Sequence, residues 1–166
     1  MPKTITPKSL GAPLGMYSHG MVAPGGEIVV VAGQVGIAPD GRVATGDVGA
    51  QTRQALENVR AVVEAAGCTM RDVVRLQTFL TRAEDIPGFM TARTAVFPGW
   101  FAAGAYPPNT LLVVSRLVRP ELLVEIEAMA VKSKGASTAP AQASPRKKQV
   151  RRPGRRSKRG RSQASA

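Results

Sequence analysis

Hydrophobic and polar residues divide this chain into runs of two different periods, and those periods predict its elements. Leu122 to Val131 alternates: Leu122, Val124, Ile126, Ala128 and Ala130 share one face of an extended strand, with Glu125 and Glu127 on the other. Such a carboxylate-bearing face is either a solvated edge, the simpler reading, or the lining of a cleft. Thr110 to Val114 carries an unbroken apolar run, which predicts a strand covered on both faces. Glu27 to Val35 is also apolar on both faces around Val29 to Ala32. A candidate strand over Tyr17 to Val22 precedes it. The intervening Ala23-Pro24-Gly25-Gly26 is turn chemistry suited to a hairpin.

The period lengthens between about Asp47 and Ala66. Val48, Thr52, Ala55, Val59, Val62 and Ala66 recur at steps of four and three, forming one helical stripe. Asp47 suits the start of this helix and Gly67 its end. Arg53, Glu57, Arg60 and Glu64 lie off the stripe as a solvated face. Val73 to Thr81 reads as a strand. Ala83 to Phe97 reads as a second helix, with Pro87 tolerable in its first turn and Gly88 weakening it. Residues 1–15 read as extended chain, Pro39-Asp40-Gly41 as a turn, Arg42 to Thr45 as a short strand and Pro98 to Pro108 as a loop. The order β-β-(β)-α-β-α-β-β defines an α+β fold with both helices on one face of a sheet. The other face of its two-sided apolar strands then needs cover, and a second copy is the economical one.

Charge separates the chain into two parts. Residues 1–132 hold 12 Lys and Arg against 11 Asp and Glu, whereas 133–166 hold 11 Lys and Arg and no acid. The net charge of +12 is therefore mostly a property of the tail. Its Ser, Ala and Pro-rich start and ten basic residues within 146–161 cannot bury enough apolar area to order it, so a disordered tail is expected. Lysine and arginine at that density bind phosphate backbones without reading sequence, and the lack of an aromatic residue there removes any stacking platform. A single cysteine, Cys68, excludes an intrachain disulfide and a Cys-rich metal site. No signal-like apolar core opens the chain and no run is long enough to span a bilayer, so a cytoplasmic protein without membrane insertion is expected. No phosphate-cradling glycine motif or metal-ligand spacing occurs, and no cofactor or metal is expected.

Several short motifs then fall into a known order. Gly15-Met16-Tyr17-Ser18, Ala32-Gly33-Gln34-Val35 and Gln51-Thr52-Arg53-Gln54 with Leu56-Glu57-Asn58 occupy the first half. Pro108-Asn109-Thr110, Ser115-Arg116-Leu117 and Glu125-Ile126-Glu127-Ala128 follow. Together they resemble the signature blocks of the RidA (YjgF/YER057c/UK114) family across about residues 11 to 131. The resemblance implies a chorismate-mutase-like fold that assembles as a homotrimer with clefts between subunits. It implies hydrolysis of a 2-imino or enamino acid to a keto acid and ammonia. By the same resemblance Glu125 would position water, Tyr17 would line the cleft, and Gly33 and Thr110 would shape it.

Two positions depart from the family pattern. Asn109 stands where the family has an arginine for the substrate carboxylate, and Ala32 stands where it has a serine. Asparagine can orient a polar ligand but cannot balance a buried carboxylate, a loss worth roughly a thousandfold in affinity. Arg93 and Arg116 are the nearby arginines. Arg116 matches a separate family arginine and has the opposite strand parity from Asn109, so neither is expected to stand in. A small-molecule hydrolase whose substrate need not carry a carboxylate is the first reading. A non-catalytic ligand-binding or chaperone-like protein, with a tail that binds nucleic acid, is the alternative. His19, the only histidine, suits acid–base work or a plain surface or interface role, the latter being simpler. Cys68 reads as an incidental thiol, and Trp100 and Phe101 as anchors of a loop or interface.

Overall fold

The computed structural model describes residues 1–44 and 46–133. The basic tail expected beyond Lys132 lies outside them apart from Ser133, as does Thr45 at the end of the expected short strand. Chain order is β1 (Lys3–Ile5), β2 (Gly20–Val22), β3 (Gly26–Val35), α1 (Val48–Ala65), β4 (Val73–Leu80), α2 (Ile86–Val96), β5 (Asn109–Val113) and β6 (Val124–Ser133). Strands β3, β6, β4 and β5 form one sheet in that order. Its pairs are antiparallel except β4 with β5, which run parallel because α2 carries the chain across between them.

Period-2 alternation survives in β6 from Val124 to Ala130, beyond which Val131 is buried as well. Val124, Ile126, Ala128 and Ala130 are buried beneath the helices, opposite Leu80, Thr78, Leu76 and their neighbours. Helix α1 lies across β3 and β6, with α2 beside it and Phe89 in the same core. Asp47 caps α1, its carboxylate accepting the Ala50 N–H at 3.0 Å, and Gly67 turns left-handed just past the end with φ of 77°. The buried stripe is Val48, Thr52, Ala55, Leu56, Val59 and Val63, whereas Val62 is exposed. At 3.6 residues per turn the last inward step is four residues and not the three expected.

Two expectations need correction. The strand expected over Tyr17 to Val22 begins only at Gly20, and it pairs with β1 instead of forming a hairpin with β3. Residues 15–19 are held by local bonds instead: Tyr17 N–H donates to the Gly15 carbonyl at 2.9 Å and Ser18 Oγ to the Gly20 carbonyl at 3.1 Å. The strand expected over Arg42 to Thr45 is a single bridge, Val43 with Ile37, around the Pro39–Gly41 turn.

The helix motif acts as a set of pins. Gln51 donates to the Glu121 carbonyl at 2.8 Å and accepts from the Leu123 N–H at 2.9 Å, fixing the approach to β6. Asn58 donates to the carbonyls of Val35 and Ile37 at 3.0 and 2.9 Å. Gln51→Ala leaves two part-buried backbone groups unpaired and should cost about 2 kcal/mol of unfolding free energy, read from a urea titration.

The helix-free face of the sheet is apolar and open. Ile28 and Val30 on β3 are 66% and 70% exposed, and Leu112 on β5 is 43% exposed. Among the described residues no helix is long and apolar enough to cross a membrane.

Candidate functional site

Glu125 projects from β6 onto the open face, because its neighbours Val124 and Ile126 point into the core. Phe79 of β4 and Val35 of β3 flank it in register. A β-bulge in β3 shapes the surface beside it. Val31 pairs with Ala128 and Gln34 with Ile126, so Ala32 and Gly33 together stand opposite Glu127 alone. Gly33 has no side chain where one would meet the carboxylate: a Cβ there would stand 2.6 Å from Glu125 Cδ and 2.9 Å from its Cγ. The missing side chain is the space that Glu125 occupies.

Thr110 lies on the same face, in register with Gln77, which is itself in register with Glu127. Arg75 Nη2 donates to Gln77 Oε1. A depression of about 250 Å³ opens there, lined by Val30, Ala32, Arg75, Gln77, Glu127 and Met129 among others. Four of the six expected site residues, Glu125, Gly33, Ala32 and Thr110, therefore belong to the open side.

Tyr17 and Asn109 do not join them within one chain. Asn109 opens β5 facing the helices, and its Oδ1 accepts the hydroxyl of buried Thr78 at 3.0 Å. Adjacent strand residues point to opposite faces, so Asn109 and Thr110 are divided by the sheet. Tyr17 sits in the 15–19 segment, its hydroxyl accepting the Leu14 N–H at 3.3 Å. His19 meets Tyr17 edge to face at 6.4 Å, and its Nε2 lies 2.7 Å from the Gly11 carbonyl, which makes it a fastener of that segment.

Near Tyr17 lies Arg93, which from the sequence alone is not expected to stand in for the arginine missing at Asn109. Arg93 on α2 is only 3% exposed, with its guanidinium 5.3 Å from the Phe89 ring centre and 5.5 Å from that of Phe97. Burial pushes the guanidinium below the usual arginine value, and Tyr17 opposes the shift. Phe89, Arg93 and Phe97 are spaced four apart, so a cation flanked by aromatics on one helix face was a readable signal. Arg116, by contrast, is exposed and lies beyond the end of β5, so strand parity does not decide its role.

Cys68 is buried, and desolvation followed by the Asp72 carboxylate pushes its thiol up, which suits an inert side chain. Phe101 is buried against Phe97 and Tyr106, so it anchors the loop as expected, with Trp100 packed against the same core. Among the described residues no group of three His, Cys, Asp or Glu could hold a metal ion.

A helix-backed mixed sheet with a glutamate held over a glycine bulge is the class of protein that these elements define. The family described as Endoribonuclease L-PSP matches residues 8–132. The 2-iminobutanoate/2-iminopropanoate deaminase of Salmonella typhimurium is 35% identical over 134 residues, covering 80% of this chain and 99% of the relative. The crystal structure of the YjgF gene product from Escherichia coli is 34% identical with a TM-score of 0.59, covering 79% of this chain and 99% of that one. A Rid-family protein of Yersinia pestis superposes with a TM-score of 0.70 at 31% identity, covering 79% and 98%. TdcF of E. coli, crystallised with bound serine, is 32% identical with a TM-score of 0.59, covering 79% and 99%. The chain belongs to this RidA/YjgF family.

Proposed function

We propose that this protein hydrolyses small imine or enamine compounds in a cleft between the subunits of a homotrimer. One observation carries the reading: the Glu125 carboxylate is held over Gly33 on the sheet face whose apolar residues a second copy would cover. Tyr17 and Asn109 belong to the other side of the sheet in the same chain. A cleft that contains all four residues therefore draws on two copies.

In that cleft water adds to the carbon of the C=N bond. Glu125 accepts a proton from the water and returns it to nitrogen; the hydroxyl of the resulting carbinolamine then passes its proton to nitrogen through the same carboxylate, and ammonia leaves as the carbonyl forms. The carboxylate is regenerated in each cycle. Tyr17 and the amide of Asn109 hydrogen-bond the substrate, while Ala32, Gly33 and Thr110 shape the wall. The Salmonella relative named a 2-iminobutanoate/2-iminopropanoate deaminase supports the reaction class, and the serine held by TdcF supports a ligand of amino-acid size.

A ligand-binding protein without turnover is favoured by the engagement of Asn109 with Thr78, which ties up half of its amide. Ammonia release decides between the two. Freshly generated 2-iminobutanoate, and an imine without a carboxylate, are mixed with the full-length protein. Release faster than the spontaneous rate is expected. Binding of either compound without any acceleration would leave the non-catalytic reading in its place.

A further inference from the structure

A buried guanidinium without an anionic partner is an unfavourable arrangement, and Arg93 is one. It is 3% exposed, its Nε is buried with no hydrogen-bond partner, and its Nη2 donates only to the Met90 sulfur at 3.1 Å. No carboxylate pairs with it among the described residues. The aromatic faces of Phe89 and Phe97 offset part of the desolvation, but a ring face is a far weaker acceptor for an N–H than a carboxylate oxygen. An unpaired buried charge costs several kcal/mol, and such sites are completed by a counter-ion.

The path for that counter-ion is short. Gly15 is exposed at the surface, and a Cβ there would lie 3.4 Å from Arg93 Nη2, so the guanidinium stops just beneath a residue that has no side chain to cover it. Tyr17 is tied to the same spot, its N–H donating to the Gly15 carbonyl at 2.9 Å, and its hydroxyl, which accepts the Leu14 N–H, can donate to an anion. The far side of the site leads back to Asn109. Arg93 stacks over Phe97, and Phe97 stacks on Tyr106 at 6.0 Å, three residues ahead of Asn109 on the same side of the sheet. We propose that Arg93 and Tyr17, under the opening at Gly15, form the subsite that binds the carboxylate of the substrate. The inference rests on the imine-hydrolase reading and narrows its substrates to those bearing a carboxylate. It also revises the expectation that no nearby arginine takes over from Asn109.

The test uses 2-oxobutanoate, the carboxylate product of 2-iminobutanoate hydrolysis, and its uncharged amide as probes of binding to the full-length protein. Titration calorimetry with the wild type should detect the carboxylate and not the amide. In Arg93→Met affinity for the carboxylate should fall roughly a hundredfold, while ligand-free thermal stability is equal or higher, because a buried unpaired charge is replaced by an apolar chain. Gly15→Val covers Nη2 with the guanidinium in place, and should weaken binding in the same way if Arg93→Met does not fold. Undiminished carboxylate binding in Gly15→Val, or in a folded Arg93→Met, overturns the subsite, as does equal binding of acid and amide or no binding of the acid by the wild type. Arg93-dependent binding without ammonia release would keep the subsite and remove the hydrolase. Ammonia release with Arg93-independent binding would do the opposite.

Discussion

Glu125→Gln is expected to lower imine turnover about a hundredfold to ten-thousandfold, the range that a positioned acid–base group contributes, with the fold unchanged. The amide keeps the shape of the side chain and cannot accept a proton from water. Gly33→Ala is the more telling partner. The new methyl would meet Glu125 Cδ at 2.6 Å and Cγ at 2.9 Å. Gly33 is not among the positive-φ glycines, so the backbone accepts alanine and the flexible carboxylate gives way. Displacing a catalytic group by about an ångström costs on the order of a hundredfold in rate. Turnover of 2-iminobutanoate and thermal melts are measured side by side. Two variants that melt like the wild type and turn over slowly place the chemistry at Glu125. A Gly33→Ala protein at full rate would show that the carboxylate's position over the bulge is irrelevant.

The second large effect concerns assembly. Val30 lies on the open face of the edge strand β3, 70% exposed, in register with Met129 and close to Ile28. Burying such a side chain contributes about 1.5–3 kcal/mol per copy. Placing an unpaired carboxylate in the same interface opposes association by several kcal/mol. Val30→Asp should therefore convert a trimeric mass in light scattering to a monomeric one, at little change in the far-UV spectrum. Turnover should fall with the mass, because Glu125 and the Tyr17 side of the cleft then come from copies that no longer meet. A Val30→Asp protein that stays trimeric, or a monomer with full activity, contradicts a cleft built between subunits.

Much of the fold was legible in local pattern. The alternation of β6 named its core residues before any coordinate did, because a strand in a one-sided core must repeat every second residue. Asp47 and Gly67 bounded α1 because orphan N–H and C=O groups at helix ends select those residue types. The hairpin between Tyr17–Val22 and β3 was not legible. Turn chemistry at Pro24–Gly26 permits it, but the short-range bonds of Tyr17 and Ser18 hold 15–19 outside a strand, and the three residues left pair with β1. Arg93 carried its signal in the Phe89-Arg93-Phe97 spacing, yet an arginine on a helix reads as solvated until its burial is known.

The amino-acid sequence by itself determined the family, the two helices and strands β3 to β6 in their order, the faces of β6 and the residue types available for chemistry. All of these depend on neighbours within a few positions, or on motifs that travel as short blocks. The tertiary structure alone decided which candidates meet. It set Glu125 over Gly33 through a bulge in another strand. It divided Asn109 from Thr110 across the sheet, and it enclosed Arg93 beside Tyr17. Those relations depend on strand register and helix packing between segments far apart in the chain, where a shift of one residue turns every side chain to the other face.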